Sequence, residues 1–245
     1  MIIMAKFFFV HHLGLGDHII CNSIYRYYSD KGDSVVLPVK PHNLQTVQDM
    51  LSDRKNISII SLDSGQPDND MVYKSMQYSN VGYNLVRLGN FGDNFLIDQS
   101  IRYDNSFYNQ AGVNFDQRWD SFHIPINKER EAEVYEYLCD DREYIFLHED
   151  QQRGFTIDRK YIDQKYKIVS PISSGLKSKK KFRFCDYRKV IENASEIHCI
   201  ESSFCAMIES LNIGKNRYAH RYCRPEASSN FFYEFTYRNE WEIVL

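Results

Sequence analysis

At 245 residues, with 43% hydrophobic and 26% charged side chains, the chain has the balance of an ordinary globular protein and the length for one large core or two small ones. A net charge of −3 excludes a whole-molecule basic field for nucleic acid, and no run reaches the roughly 18 apolar residues a spanning helix needs. The six cysteines are irregularly spaced with no C-x-x-C pair, which points to reduced thiols and a cytoplasmic setting rather than a disulfide framework.

The N-terminal apolar run ends in KFFFV and has no small-residue cleavage site after it, so residues 2–10 read as a buried first strand and not as a signal peptide. HHLGLGDHII follows. Asp17 to about Tyr28 reads as a helix, with Ile20, Ile24, Tyr27 and Tyr28 on one face. DKGD turns the chain into the strand SVVLPV, HNLQTVQDML gives a second helix, and ISIISL a third strand. This β-α-β-α-β alternation argues for a parallel sheet covered on both faces. Residues 63–127 are rich in Asn, Asp, Gly and Tyr and predict short elements, including a helix near 104–111. KEREAEVYEYL is a clear helix, after which the alternation resumes: YIFLH, KIVSP and EIHCIE as strands, CDYRKVIENA and SSFCAMIESL as helices, and RYAHRY as a last strand. The fold class is therefore α/β, with two halves that share no repeat, 1–127 and 128–245. In such sheets ligands bind where strands end and helices begin, and two such edges facing each other make a cleft.

Five patterns carry chemistry. In HHLGLGD, Gly14 and Gly16 are expected to let the backbone fold tightly beside a ligand, with helix N–H groups suited to an anion. Ile19 stands where a dinucleotide fingerprint needs glycine, and no G-K-[ST] loop exists, so neither a nicotinamide nor a flavin cofactor is expected. Asp17 reads either as a helix cap or as a general base. In EIHCIESSF, Ser202 and Ser203 read as caps or as phosphate ligands at a helix start, and Glu201 as an acceptor for a ribose diol. In HEDQQRGF, Arg153 beside Gly154 suits a bidentate phosphate contact, or the charges of the turn solvate one another. KSKKKFR (177–183) carries five positive charges and reads as a solvated loop, or as one that leans over a diphosphate, an acidic polymer or a membrane surface. Asp68-Asn69-Asp70 is formally D-x-D but sits in a turn-rich stretch; His11 and His12 point apart and cannot share a metal, and no zinc spacing or G-x-S-x-G elbow is present.

HHLGLGDHIICNSIYR resembles the N-terminal motif of the GT-B glycosyltransferases related to the lipopolysaccharide heptosyltransferases. YNQAGVNFDQRWDSF, FLHEDQQRGFTID and IENASEIHCIESSF resemble the corresponding blocks of small bacterial and viral glycosyltransferase-like proteins. The resemblance implies two Rossmann-like domains, an N-terminal one for the acceptor and a C-terminal one for a nucleotide-sugar donor, with inverting, metal-independent transfer and no cofactor beyond the donor. It assigns Asp17 as the base, and Glu201, Ser202, Ser203 and Phe204 to the nucleotide. Arg153 then faces the phosphates, with Lys177 or Lys179 in support, while His12, Gly14 and Gly16 line the substrate side. The chain is shorter than a heptosyltransferase, and its donor-selecting residues do not align by eye. The partners implied are a nucleotide sugar and a glycan or other hydroxyl acceptor. The alternatives are a non-catalytic sugar-nucleotide or glycan-binding protein of the same fold, and a nucleic-acid-binding protein that uses the 177–183 run, against which the net charge speaks.

Overall fold

The computed structural model describes residues 4–62, 77, 82–89, 98–171 and 182–245. The D-x-D tripeptide, Lys177 and Lys179 lie outside them. The chain divides into two units, Met1–Pro125 and Ile126–Leu245.

The first unit is built on a four-stranded parallel sheet in the order β3-β2-β1-β4, from β1 (Lys6–Val10), β2 (Ser34–Val39), β3 (Ile57–Ser61) and β4 (Asn84–Arg87). Side chains alternate across β1 as strand geometry requires. Phe8 and Val10 join Leu13, Val36 and Leu62 in a core on one face. Phe7 and Phe9 turn to the other face and meet the Tyr28 ring at 4.5 and 5.1 Å. That ring comes from the helix pair α1 (Leu15–Ile20) and α2 (Asn22–Asp30), which breaks at Cys21 where one continuous helix was expected. Of these rings Phe9 is fully buried, which contributes about 1.5–3 kcal/mol. Helix α3 (Leu44–Met50) links β2 to β3, and α4 (Tyr103–Gln110) and α5 (Gln117–Asp120) follow β4.

The second unit carries a five-stranded parallel sheet, order β6-β5-β7-β8-β9. Its strands are β5 (Tyr144–His148), β6 (Lys167–Val169), β7 (Glu196–Cys199), β8 (Arg217–His220) and β9 (Glu242–Val244). Ile145 and Leu147 face a core with Ile157, Ile162 and Ile200, while Phe146 and His148 face Phe204 on the other side. The helices are α6 (Lys128–Leu138), α7 (Arg188–Glu192), α8 (Ser203–Leu211) and α9 (Pro225–Ser229). The expected helix CDYRKVIENA is shorter than its pattern, because Phe184–Tyr187 winds as a 3-10 turn before α7.

Candidate functional site

In each sheet the chain leaves the first strand on one side and later returns to its other side. In the first unit β1 leads to β2, and β4 closes onto the free edge of β1; in the second, β5 leads to β6 and β7 returns beside β5. The carboxyl ends of β1 and β4, and those of β5 and β7, are therefore topological switch points, where open α/β sheets bind ligands.

Asp17 sits at the first of these. It lies in the first turn of α1, half-buried, and its Oδ2 accepts the Gly14 backbone N–H at 3.1 Å while its Oδ1 accepts the Tyr103 hydroxyl at 3.2 Å. A Cβ on Gly14 would stand 2.7 Å from Asp17 Oδ2, so the glycine makes room for the carboxylate. Neither Gly14 nor Gly16 takes a positive φ, and the left-handed residue of the turn is Leu13, at φ 61°. The tight turn expected of the glycines is thus made by their buried neighbour. Tyr103 reaches Asp17 because α4 is pinned from below: the Tyr108 hydroxyl donates to Ile20 O at 2.7 Å, and the fully buried Asp104 pairs with Arg118 of α5. His12 is half-buried, its ring 6.2 Å from that of Tyr103, and it packs so closely on Gly89 that a Cβ there would meet His12 Nε2 at 2.5 Å. Gly89 also has φ 107°, a conformation that excludes a side chain on its own account.

At the second switch point His148 ends β5, and Ser202 precedes α8. Ser202 Oγ lies 3.1 Å from His148 Nδ1 and makes no capping bond, although Ser202 occupies the N-cap position. Burial brings the His148 imidazole down to about 4, so the ring that meets Ser202 is neutral near pH 7. The first intrahelical bond of α8 runs from Ala206 N to Ser202 O, which leaves the amides of Ser203, Phe204 and Cys205 as the donors every helix start exposes.

The other expected site residues are placed less directly. Phe204 is buried, with Phe146, His148 and Phe184 rings at 5.3, 4.7 and 4.3 Å. Glu201 is only 1% exposed and turned inward. Its Oε1 accepts from Arg221 Nε at 3.1 Å, Arg221 Nη2 at 2.9 Å and the Tyr237 hydroxyl at 2.9 Å, and its backbone oxygen accepts from Arg224 at 2.8 Å. These bonds fix the turn that leads into α8. Arg153 ends a 3-10 turn, is more than half exposed, and has its Nε 2.6 Å from Asp150 Oδ2. Its neighbour Glu149 holds the same loop: burial pushes this carboxyl up, but bonds from Arg159, Gln151 and the Ile157 amide outweigh it and bring it down to about 2. The charges of HEDQQRGF therefore do solvate one another.

Tyr103, His148 and Arg221 are the site neighbours that the sequence did not mark. Tyr103 lies 86 positions from its partner in an unremarkable helix start, and His148 looks like any strand end. Among the described residues no three His, Cys, Asp or Glu side chains gather as a metal-ligand set, and no helix is long and apolar enough to cross a membrane.

Two parallel α/β units of Rossmann-like topology, each with polar groups at its switch point, define a GT-B-like α/β fold. Comparison with solved structures gives the same class. A glycosyl transferase family 9 protein from Veillonella parvula superposes over 100% of this chain and 88% of its own length, with a TM-score of 0.60 at 14% identity. Weaker likenesses are the iron-containing dodecameric glycosyltransferase TibC from enterotoxigenic E. coli (TM-score 0.48, 11% identity, 86% of this chain and 56% of that one) and the calicheamicin glycosyltransferase CalG4 (TM-score 0.43, 10% identity, 93% and 82%). No protein-family model and no curated protein matches the sequence.

Proposed function

We propose that the chain is a glycosyltransferase that moves a sugar from a nucleotide-sugar donor to an acceptor hydroxyl, with inversion and without a metal. The observation that carries this reading is the placement of Asp17 at one switch point and of the α8 N-terminus with Ser202 at the other, in a chain that shares its fold with a glycosyl transferase. Asp17 takes the acceptor proton, and the oxygen then attacks C1 of the sugar opposite the diphosphate. Charge gathering on the leaving diphosphate is met by the amides of Ser203 and Phe204, by Ser202 and by Arg153, with Lys177 or Lys179 in support. Glu201 acts by holding this turn through Arg221, and His12 and Tyr103 line the acceptor side. The substrates are thus a nucleotide sugar and a glycan or other hydroxyl compound.

The two bonds that Asp17 already makes, to Gly14 and Tyr103, favour a second reading: a sugar-nucleotide-binding protein of the same fold in which this carboxylate only caps its helix. One experiment separates them. Thermal shifts are recorded with UDP, GDP, ADP, CMP and dTDP, with and without magnesium, and the stabilising nucleotide is then offered as its sugar donor with a panel of acceptors. A ligand at a hundred times its Kd stabilises by about 2.7 kcal/mol, a readily measured shift. The expected result is one responding diphosphate, indifferent to magnesium, with transfer that Asp17→Asn abolishes while the thermal shift is kept. Full turnover in Asp17→Asn would remove the base assignment; a shift without transfer would favour the binding protein.

A further inference from the structure

Behind the Asp17 turn, two imidazoles are wired in one direction only. The Leu13 backbone N–H has a proton to give and nothing to accept with, and it points at His11 Nδ1 at 3.0 Å. His11 Nδ1 must therefore be bare, and the ring neutral with its proton on Nε2. That proton faces His18 Nδ1, 3.1 Å away, so Nδ1 of His18 is bare as well and its proton sits on Nε2. His18 Nε2 is buried with no hydrogen-bond partner among the described residues. Buried donors are seldom left over in this way, and one that persists needs a reason.

The surroundings agree with a neutral pair. Both rings are buried. Burial first, then the electrostatic influence of His18, His12 and Lys40, holds His11 well below the ordinary imidazole range, and burial followed by Lys40 brings His18 to about 3. The residue that receives this support is under strain. Leu13 is a bulky side chain at φ 61°, in a region that non-glycine residues enter only when their environment imposes it. Its N–H is held by His11, its carbonyl accepts from Asn43 Nδ2 at 3.2 Å, and the next residue is Gly14, whose amide binds Asp17.

We propose that His11 is the positioning residue of the Asp17 turn. As the neutral tautomer with bare Nδ1 it holds Leu13 in its left-handed conformation, and His18 fixes that tautomer from behind. The role in transfer rests on the reading of Asp17 given above; the role in holding the turn does not.

The test uses the full chain and two side chains that each mimic half of the ring. Asparagine can offer its amide oxygen near the place of Nδ1, and glutamine its amide nitrogen near the place of Nε2. His11→Phe and His11→Gln are expected to expose the Leu13 and Gly14 amides to exchange and to lower kcat about a hundredfold with little change in KM, the size of loss that a displaced catalytic group produces. His11→Asn is expected to restore both amide protection and most of kcat. In the unmodified protein, long-range proton–nitrogen correlation is expected to show bare Nδ1 and protonated Nε2 on both rings. A proton on His11 Nδ1, or Asn and Gln variants that behave alike, would overturn the proposal, the first without any variant having to fold. If the unmodified protein transfers no sugar, the glycosyltransferase reading fails, and amide exchange together with the tautomers still decides the role of His11.

Discussion

Gly14 illustrates how one residue's reason can differ from the one its motif suggests. Its backbone, at φ −67° and ψ 149°, is extended and open to any amino acid. The obstacle to a side chain is the Asp17 carboxylate, which would lie 2.7 Å from a Cβ. Gly14→Ala therefore has to displace the carboxylate and break its bond to the Gly14 amide, an interaction of the capping kind worth about 0.5–2 kcal/mol. Urea denaturation of a double-mutant cycle checks this. Gly14→Ala is expected to cost about that much in the unmodified background and close to nothing once Asp17 is alanine. An equal cost in both backgrounds would show that the strain lies elsewhere. The sequence could reveal Asp17, because an acid directly after a glycine turn at a helix head is a local signal. It could not reveal Leu13, since nothing in the residue type marks a left-handed leucine. Tyr103 and His148 were equally hidden, as both acquire their roles only when the sheet brings distant segments together.

Among the elements, the strongly apolar strands were readable and the weak ones were not. SVVLPV was expected as a strand despite Pro38, and the structure explains the tolerance: the β1 ladder reaches only to Val36, so Pro38 pairs with Ile60 of β3 alone. In contrast β4 is four residues, Asn84–Arg87, inside a stretch of Asn, Gly and Tyr, yet it creates the switch point of the first unit. Strand β9 was missed for a related reason, because it is held from outside by a helix. Glu209, buried on α8, accepts the backbone amides of Arg238 and Asn239 on Oε1 at 2.7 and 3.2 Å and the Trp241 indole on Oε2 at 2.8 Å. A buried acidic residue of this helix is thus the clamp that brings residues 238–241 toward β8. Glu209→Gln places an amide donor against either the two backbone N–H groups or the indole, and an opposed donor of this kind costs about 1–3 kcal/mol. Hydrogen exchange is expected to quicken in residues 238–244 well before the rest of the sheet. Unchanged protection of β9 would mean that strand pairing alone retains it.

Over the whole molecule, five histidines that burial holds below the ordinary imidazole range give stability a common dependence on pH. In the first unit burial lowers His11 and brings His18 to about 3. In the second, burial lowers His198 against the opposing pull of Glu196, and brings His148 and His220 to about 4. An unfolded imidazole takes its proton near pH 6.5. Between that value and about 4 the unfolded chain binds more protons than the folded one, so stability falls as the pH falls through this window and is level above it. Carboxylates held low by the fold, such as Glu149 at about 2, begin to contribute in the same direction only below their unfolded value near 4.5. The upper part of the acid transition therefore belongs to the histidines. Since they are present in both units, acid is expected to weaken both. Calorimetry between pH 8 and 4.5 tests this: Tm should hold level to about pH 7 and then decline, and if two transitions resolve, both should move. A Tm unchanged down to pH 4.5 would mean that these rings take up protons in the fold as readily as in the unfolded chain, and that burial does not hold them down.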